Sequence, residues 1–263
     1  MTTTVNGEPG AGERRHVLQD LGWAMTRSGD ALRGSATVVP EMLVPGTGHL
    51  RLSILAIWAD VMAGTLAAST IHPRVPVTLE LDVHLYVPPP GAGVVRGQAR
   101  IVKSGRSVFV ASVDFTTEDS EAIGFAAASF MPAPDVRLTF ETPLSVDQPG
   151  PPVRTRLTVP FAERAGCRRT APGEAVLARS DESLNASNTL NGGLIALAAE
   201  EAALSLAPGA TLASLDLRYL QPVRVGPAVA QADVRDGLGR VEVHDAGNED
   251  RLCVVATCRT FGP

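Results

Sequence analysis

An apolar run that follows two glycines constrains the fold of this chain more than any other stretch. It extends from Asn185 to Leu206 and reads NASNTLNGGLIALAAEEAALSL, with strong helix formers after Gly192-Gly193. Asn191 is a suitable helix N-cap, and paired glycines allow another segment to approach the helix start closely. A helix that is apolar on nearly every face must be buried on most sides. The run therefore predicts a central helix around which the chain packs.

Two adjacent carboxylates, Glu200 and Glu201, interrupt this apolar run. Their side chains point about 100° apart around a helix, so we expect one of them in solvent and the other at an edge or in a site. The start of a helix carries free amides that attract negative charge. Amides at one end of a buried helix and an acid in its middle favour chemistry on an acyl group.

The composition is that of a soluble globular protein of 263 residues, with 44% hydrophobic and 19% charged residues. A net charge of −5 and an isoelectric point near 5.6 argue against nucleic acid or a membrane surface as a partner. The sequence shows no apolar run close to the length of a membrane span and no signal peptide.

The cysteines and histidines show neither a disulfide framework nor a metal pattern. The three cysteines are an odd set without a CxxC pair, which is typical of a reducing compartment and predicts a cytoplasmic protein. The five histidines lack the spacing of metal ligands. We therefore expect neither a metal nor a bound cofactor.

Two similar segments indicate an internal repeat. LDVHLYVP begins at Leu81 and LDLRYLQP begins at Leu215, 134 positions later, and both read as strands that end at a proline. In each half a strand and a long helix precede this segment, and further alternating strands follow it. The helices are predicted over Leu50–Ser69 and Leu194–Leu206.

The repeat predicts an α+β fold of two tandem units, each a long central helix wrapped by an antiparallel sheet. We expect a disordered tail over 1–15, a first unit over 16–131, a proline-rich linker over 132–152 and a second unit over 153–263. A single unit would leave one sheet edge open, so the two units should pair edge to edge into one continuous sheet.

The second half of the chain resembles the hotdog-fold acyl-CoA thioesterases of the phenylacetate-pathway (PaaI-like) type. That family has an Asn, five residues, His-Gly-Gly and an acid nine positions after the His. Here Asn185 lies six positions before Asn191, which is followed by Gly192-Gly193, and Glu200 lies nine positions after Asn191. The resemblance covers most of the second unit and implies a hotdog fold.

The first half resembles a different part of the same family pattern. Its segment IWADVMAG is similar to the family's Leu-Ala-Asp-x-Ala-x-Gly and places Asp60 at the position of the catalytic acid. Nine residues earlier stands Arg51, where the family has His, and no double glycine follows it. The resemblance therefore implies one more complete site and one degenerate site.

Family dimers build each site from the Asn and glycine amides of one unit and the acid of the other. Carried over, this makes Asp60 face Asn185 and Gly192, while Glu200 faces the glycine-poor start of the first helix. Asp60 is then the general base or nucleophile, because burial raises the pKa of an acid toward neutrality.

The remaining roles follow from the same resemblance. Gly192 and Gly193 donate to the oxyanion, and Asn185 orients the water or the carbonyl. Asn191 replaces the family's His beside the substrate, and Thr211 and Ser214 are the candidates for the family's Ser or Thr near the next strand.

The function implied is metal-free hydrolysis of an acyl-CoA or aroyl-CoA thioester, with coenzyme A present only as part of the substrate, by a homo-oligomer of double-hotdog chains. Two alternatives stay open. One is a non-catalytic acyl-CoA-binding or assembly protein with decayed sites. The other is a hotdog hydratase or dehydratase, whose signature the segment DESLNASN imitates without its His.

The candidate residues also have structural interpretations. Asp60 could pair with Arg51 or Arg74, Asn185 could stabilise its own loop, and a structural role is as open for Glu200 as a catalytic one.

Overall fold

A computed structural model describes residues 16–142, 144 and 155–262 of the chain. The predicted tail over 1–15 lies outside the described residues, and so does most of the second half of the predicted linker. The first half of that linker is described and is hydrogen-bonded to the segment after the first helix, where Val75 N–H donates to the Leu138 carbonyl.

Within the described residues, twelve strands form one continuous antiparallel sheet. The strands are β1 (Ala24–Ser28), β2 (Ala31–Thr37), β3 (Pro76–Leu85), β4 (Val94–Ser104), β5 (Phe109–Thr117), β6 (Ala122–Pro132), β7 (Cys167–Ala171), β8 (Glu174–Leu177), β9 (Leu212–Tyr219), β10 (Ala228–Arg235), β11 (Leu238–Asp245) and β12 (Arg251–Thr260). Their order across the sheet is β1-β2-β4-β5-β6-β3-β9-β12-β11-β10-β8-β7.

Two long helices pack against each other and against this sheet. The α-helices are α1 (Leu52–Ile71), α2 (Phe161–Arg164) and α3 (Gly192–Ser205). Helix α1 packs mainly on β3 to β6 and α3 mainly on β7 to β11, and the buried side chains of both halves form one core. A short 3-10 turn precedes β1 at Val17–Leu21, and two more precede α1 and α3 at Pro40–Met42 and Asp181–Ser183.

Helix α1 contradicts the expectation that no run approaches a membrane span in length. Its 20 residues reach a mean hydropathy of 1.6, which suffices for a span by length and composition. The same helix is 61% buried inside the protein, against the sheet and α3. A core helix that is enclosed on most sides needs the same apolar composition as a lipid-facing one.

Along the chain, the same order of elements occurs twice. Two strands, a long helix and four strands occur first as β1 to β6 with α1, and then as β7 to β12 with α3. The two sets meet where β3 pairs with β9, with Asp82 opposite Asp216 and Val83 opposite Leu215. Both strands come from the two similar segments of the sequence, so the predicted edge-to-edge pairing lies at the repeat itself.

The outer face of this junction carries an ion-pair cluster. Asp82 and Asp216 are cross-strand neighbours, a pairing that is unfavourable for like charges. Arg218 forms ion pairs with Asp82 and with Glu80, and His84 Nε2 lies 3.1 Å from Asp216 Oδ1. Burial raises the pKa of Asp216, which His84 opposes.

Candidate functional site

Asp60 is a half-buried acid on the exposed strip of helix α1. Its carboxylate accepts a hydrogen bond of 3.1 Å from the hydroxyl of Thr78 on β3. Burial raises the pKa of Asp60 from 3.8 to about 6, and the bond from Thr78 opposes this rise. An acid with this pKa is mostly ionised at neutral pH and is a far better base than a solvated aspartate.

Thr78 owes its orientation to an irregularity of β3. The register with β6 shifts between Thr78 and Glu80, so Thr78 pairs with the inward-facing Phe130, whereas Glu80 points to the outer face with Ser129. Sequence reasoning missed Thr78. The family's Ser or Thr was expected only on the strand after the second helix, whereas Thr78 lies on the strand after the first helix.

The start of α3 is capped as the sequence predicts. The Asn191 side chain accepts a hydrogen bond of 2.9 Å from Gly193 N–H, which satisfies one of the free amides of the helix. The Gly193 N–H is therefore already engaged in this structure, and its role as an oxyanion donor stays a prediction that this bond does not favour. Asn191 likewise serves as the cap, and its Oδ1 is held by that bond.

Gly193 is required for close contact between the two helices. A Cβ atom at this position would lie only 2.6 Å from Cγ1 of Ile57 on α1. The start of α3 therefore packs directly on α1, one helical turn before Asp60 and on the neighbouring face. The paired glycines bring the two helices together, as the sequence predicts.

Gly192 offers the free donor beside this contact. Within the described part of the chain its N–H has no protein acceptor, whereas its carbonyl oxygen accepts a hydrogen bond of 2.9 Å from the Tyr219 hydroxyl. Burial raises the pKa of Tyr219 well above 10, and the charges of Asp60 and Asp82 raise it further. Asp60 is thus within electrostatic reach of the residue that contacts Gly192.

The start of α1 is arranged in the matching way but is filled. Glu200 of α3 accepts hydrogen bonds from Leu52 N–H at 2.8 Å and from the Ser53 hydroxyl at 2.5 Å. Arg51 Nη1 lies 3.4 Å from the same carboxylate. The Glu200 residue is 0% exposed. Burial raises the pKa of Glu200, an effect that Arg51 and Ser53 oppose.

Glu201 is buried as well, so the expectation that one of the two adjacent acids lies in solvent is wrong. Its carboxylate lies 2.5 Å from Arg51 Nη1 and accepts a hydrogen bond of 2.6 Å from Arg169 Nε on β7. Arg51 pairs with both glutamates and Arg169 pairs with Glu201, and these partners make it possible to bury both carboxylates.

A cavity of about 440 Å³ opens beside the Arg51–Glu201 pair and is lined in part by Cys167 and Arg169. Burial raises the pKa of the Cys167 thiol to about 12, so this cysteine is not an activated nucleophile. Among the described residues, no group of three or more His, Cys, Asp or Glu side chains is arranged to hold a metal ion.

Comparison with known proteins connects this arrangement to thioesterases. Residues 48–123, which contain α1, Asp60 and Thr78, match the sequence model described as the thioesterase superfamily. No curated protein sequence matches the chain significantly.

Several solved structures superpose on nearly the whole chain. The tesB protein of Mycobacterium avium subs paratuberculosis has a TM-score of 0.63 at 14% identity and covers 94% of this chain and 98% of its own. The acyl-ACP thioesterase of Bacteroides thetaiotaomicron has a TM-score of 0.61 at 15% identity, with 88% and 98% covered. The 12:0-ACP thioesterase of Umbellularia californica has a TM-score of 0.63 at 11% identity, with 89% and 94% covered. The fold is the hotdog thioesterase fold.

Within this hotdog fold, two predicted site residues have structural surroundings that differ from their predicted roles. Asn185 is exposed, and its Oδ1 accepts bonds from Ser187 N–H and from the N–H and hydroxyl of Thr189. That oxygen stabilises its own loop, which was the structural interpretation the sequence left open.

Thr211 lies at the wrong end of its strand. It precedes β9, and its carbonyl accepts a bond from Phe261 N–H, whereas Tyr219 at the other end of β9 contacts Gly192. Eight strand residues separate the two ends by roughly 25 Å. Thr211 therefore does not line the Gly192 site, because the chain runs back along α3 before it reaches the helix start.

For Glu200 and Asp60, the predicted partners can be compared directly with the observed ones. Glu200 does face the start of the first helix. Asp60 bonds to Thr78, and its predicted structural alternative, an ion pair with Arg51 or Arg74, is not formed in the described structure: Arg51 pairs with the two glutamates, and Arg74 donates to the carbonyl of Ala133.

Proposed function

We propose that this chain hydrolyses an acyl thioester at the site formed by Asp60 and the start of α3. The observation that carries the proposal is the contrast between the two helix starts. At α1 the first amide, Leu52 N–H, is 2.8 Å from a carboxylate oxygen. At α3 the first amide, Gly192 N–H, has no protein acceptor in the described chain, and the acid on the opposite helix is the shorter Asp60.

The Glu200 carboxylate at the start of α1 indicates which kind of group the start of α3 can bind. A carboxylate oxygen on the first amide of α1 occupies the place where a negatively charged oxygen is best stabilised by the helix amides. The thioester carbonyl gains such a charge when it becomes tetrahedral. A single preorganised amide that contacts this oxygen contributes roughly 3 kcal/mol to the transition state.

Asp60 supplies the base in this proposal. Its carboxylate removes a proton from a water molecule as the water oxygen attacks the thioester carbon. The tetrahedral intermediate then collapses, the C–S bond breaks, and the thiolate leaves and takes up a proton. Direct attack by Asp60 on the carbon, followed by hydrolysis of the anhydride, uses the same geometry and remains the second route.

The Asn185 orienting role does not enter this proposal, because its oxygen is bonded within its loop. Glu200 is assigned to structure. It is fully enclosed and bonded to Arg51, Ser53 and Leu52 N–H, so neither water nor substrate reaches its carboxylate. The chain is proposed to have one active site and one closed site.

The substrate is proposed to be an acyl-CoA or aroyl-CoA, and the chain to be a PaaI-like tandem double hotdog of the cytoplasm that forms homo-oligomers, with units over 16–131 and 153–263. The repeated order of elements and the pairing of β3 with β9 support the tandem arrangement. Two of the structural neighbours are described as acyl-ACP thioesterases, so the carrier is to be determined by experiment.

The test is a thiol-release assay with acyl-CoA and acyl-ACP substrates of several chain lengths and one aroyl-CoA. We expect thioester-dependent release by the wild type and a loss of at least about 100-fold in the Asp60→Asn variant, since the general base is removed. Asp114→Asn is the matched control, because Asp114 lies on β5 with its side chain 55% exposed.

The same assay decides between hydrolysis and the non-catalytic alternative. The closed second site and the absence of the family's His favour a decayed binding protein. Saturable binding of acyl-CoA without thiol release from any substrate would establish that alternative and refute hydrolysis. Equal turnover by wild type and Asp60→Asn would remove Asp60 from the mechanism.

A further inference from the structure

Tyr219 is the last residue of β9 and points to the face of the sheet that carries the helices. Leu217 and Leu215, two and four residues earlier, are fully buried on that face. The Tyr219 hydroxyl donates a hydrogen bond of 2.9 Å to the carbonyl oxygen of Gly192. Neither the sequence pattern nor the thioesterase resemblance singles out this tyrosine.

The bond from Tyr219 acts on one particular peptide group. The Gly192 carbonyl belongs to the same peptide plane as Gly193 N–H, which donates to Asn191 Oδ1 at 2.9 Å. This plane is therefore held at both its oxygen and its nitrogen. Hydrogen bonds at the two ends of a peptide strengthen each other, and a plane held twice has little freedom to rotate. The preceding peptide, which carries Gly192 N–H, joins this plane at the Gly192 Cα, and its own carbonyl, that of Asn191, accepts from Leu194 N–H and Ile195 N–H.

The glycine at position 192 is what allows this contact. A Cβ atom there would lie 3.2 Å from Cζ and from the hydroxyl oxygen of Tyr219, which is tighter than ordinary packing. The ring therefore lies directly against the backbone of the helix start. The burial that raises the pKa of Tyr219 also keeps its hydroxyl protonated, so that it remains a donor.

We propose that Tyr219 is a positioning residue for thioester hydrolysis: it holds the first peptide of α3 so that Gly192 N–H is directed at the oxygen of the thioester. This inference rests on the proposed function. Tyr219 acts through Gly192 and does not itself react. Its effect should therefore appear in the rate of the chemical step and leave substrate binding nearly unchanged, because the amide donates more strongly as negative charge develops.

The first test compares Tyr219→Phe with Tyr86→Phe in the thiol-release assay. The chain has two tyrosines, and Tyr86 is 62% exposed, so the same substitution there is a matched control. We expect kcat to fall about 3- to 10-fold in Tyr219→Phe with KM changed less than twofold, as for the loss of one neutral hydrogen bond. Tyr86→Phe should retain both constants.

Gly192→Ala provides the second test: alone it serves if Tyr219→Phe folds poorly, and together with Tyr219→Phe it completes a double-mutant cycle. Gly192→Ala inserts a methyl group between the helix start and the ring, so it should lower kcat by displacing Tyr219. In the Tyr219→Phe background the same change should cost at least about threefold less, because the bond it disturbs is already gone.

The outcomes separate this inference from the proposed function. If the wild type releases no thiol from any substrate, the proposed function is wrong and the positioning role is wrong with it. If the wild type is active but Tyr219→Phe keeps its kcat when corrected for folded fraction, only the positioning role is refuted. Strictly multiplicative effects of Gly192→Ala and Tyr219→Phe would also refute it.

Discussion

The Asp60→Asn substitution should make the protein more stable while it abolishes activity. The pKa of Asp60 is raised from 3.8 to about 6 by burial, so the folded state holds a proton at pH values where the unfolded chain has lost it. Each tenfold change in proton affinity corresponds to about 1.4 kcal/mol, so ionised Asp60 costs the folded state about 3 kcal/mol above pH 6. Asparagine has the same shape and no charge, and its Oδ1 still accepts from the Thr78 hydroxyl.

The sign of this effect depends on pH in a defined way. The folded-state pKa lies above the unfolded one, so the proton's contribution to stability is complete below pH 3.8 and is lost as the pH rises to about 6. The variant should therefore gain most at pH 7.5, where about 3 kcal/mol corresponds to an increase in Tm of about 6–12 °C. Near pH 4 the gain should be small.

The assay is urea and thermal unfolding of wild type and Asp60→Asn at pH 7.5 and pH 4.5, with Asp114→Asn as the exposed control. A gain in stability at pH 7.5 that shrinks at pH 4.5 supports the burial of a charged, functional acid. Equal stability at pH 7.5, or a gain of the same size at both pH values, would show that ionised Asp60 does not destabilise the folded state. The raised pKa on which its role as a base rests would then be refuted.

Three further predictions concern the same helices. The acidic limb of the kcat/KM profile should have an apparent pKa near 6, with activity falling about tenfold per pH unit below it, since only ionised Asp60 accepts a proton; a limb near pH 4 would contradict this. Thr78→Val should shift that limb to higher pH, because the hydrogen bond from Thr78 lowers the pKa of Asp60 and its loss raises that pKa. An unchanged limb would show that Thr78 does not affect the protonation of Asp60. Glu200→Ala should lower the free energy of unfolding in urea by about 3 kcal/mol, because it leaves Arg51 and the Leu52 amide without this buried partner. The folded fraction of that variant should keep its turnover within a few-fold, and a loss as large as that of Asp60→Asn would reverse the assignment of the active and closed sites.

The sequence predicted the elements that depend on local pattern and repetition. The apolar run after Gly192-Gly193 forms the helix it predicts, with Asn191 as its cap. The segments beginning at Leu81 and Leu215 supply the last five residues of β3 and of β9. These features follow from spacing along the chain, which is visible before folding.

The sequence did not predict the features that depend on which distant groups meet. The burial of Glu201 depends on Arg51 and Arg169, which come from two other elements. Thr78 faces Asp60 because of a register shift in β3, and Tyr219 reaches Gly192 because β9 runs back along α3. Thr211 is the candidate that the family resemblance gives for a Ser or Thr near the next strand, but it lies at the end of β9 that is far from Gly192.

The N-caps of the two long helices differ because both are encoded in one chain. In a dimer of identical subunits, the two-fold axis would impose the same residues on both helix starts, so that any change to one site would occur in both. Here the N-cap position of α1 is Arg51, which makes no capping bond with its side chain, whereas that of α3 is Asn191, which accepts from Gly193 N–H, and each can be replaced alone. In this chain the first amide of α1, Leu52 N–H, is bonded to the chain's own Glu200 carboxylate, whereas the first amide of α3, Gly192 N–H, has no acceptor among the described residues.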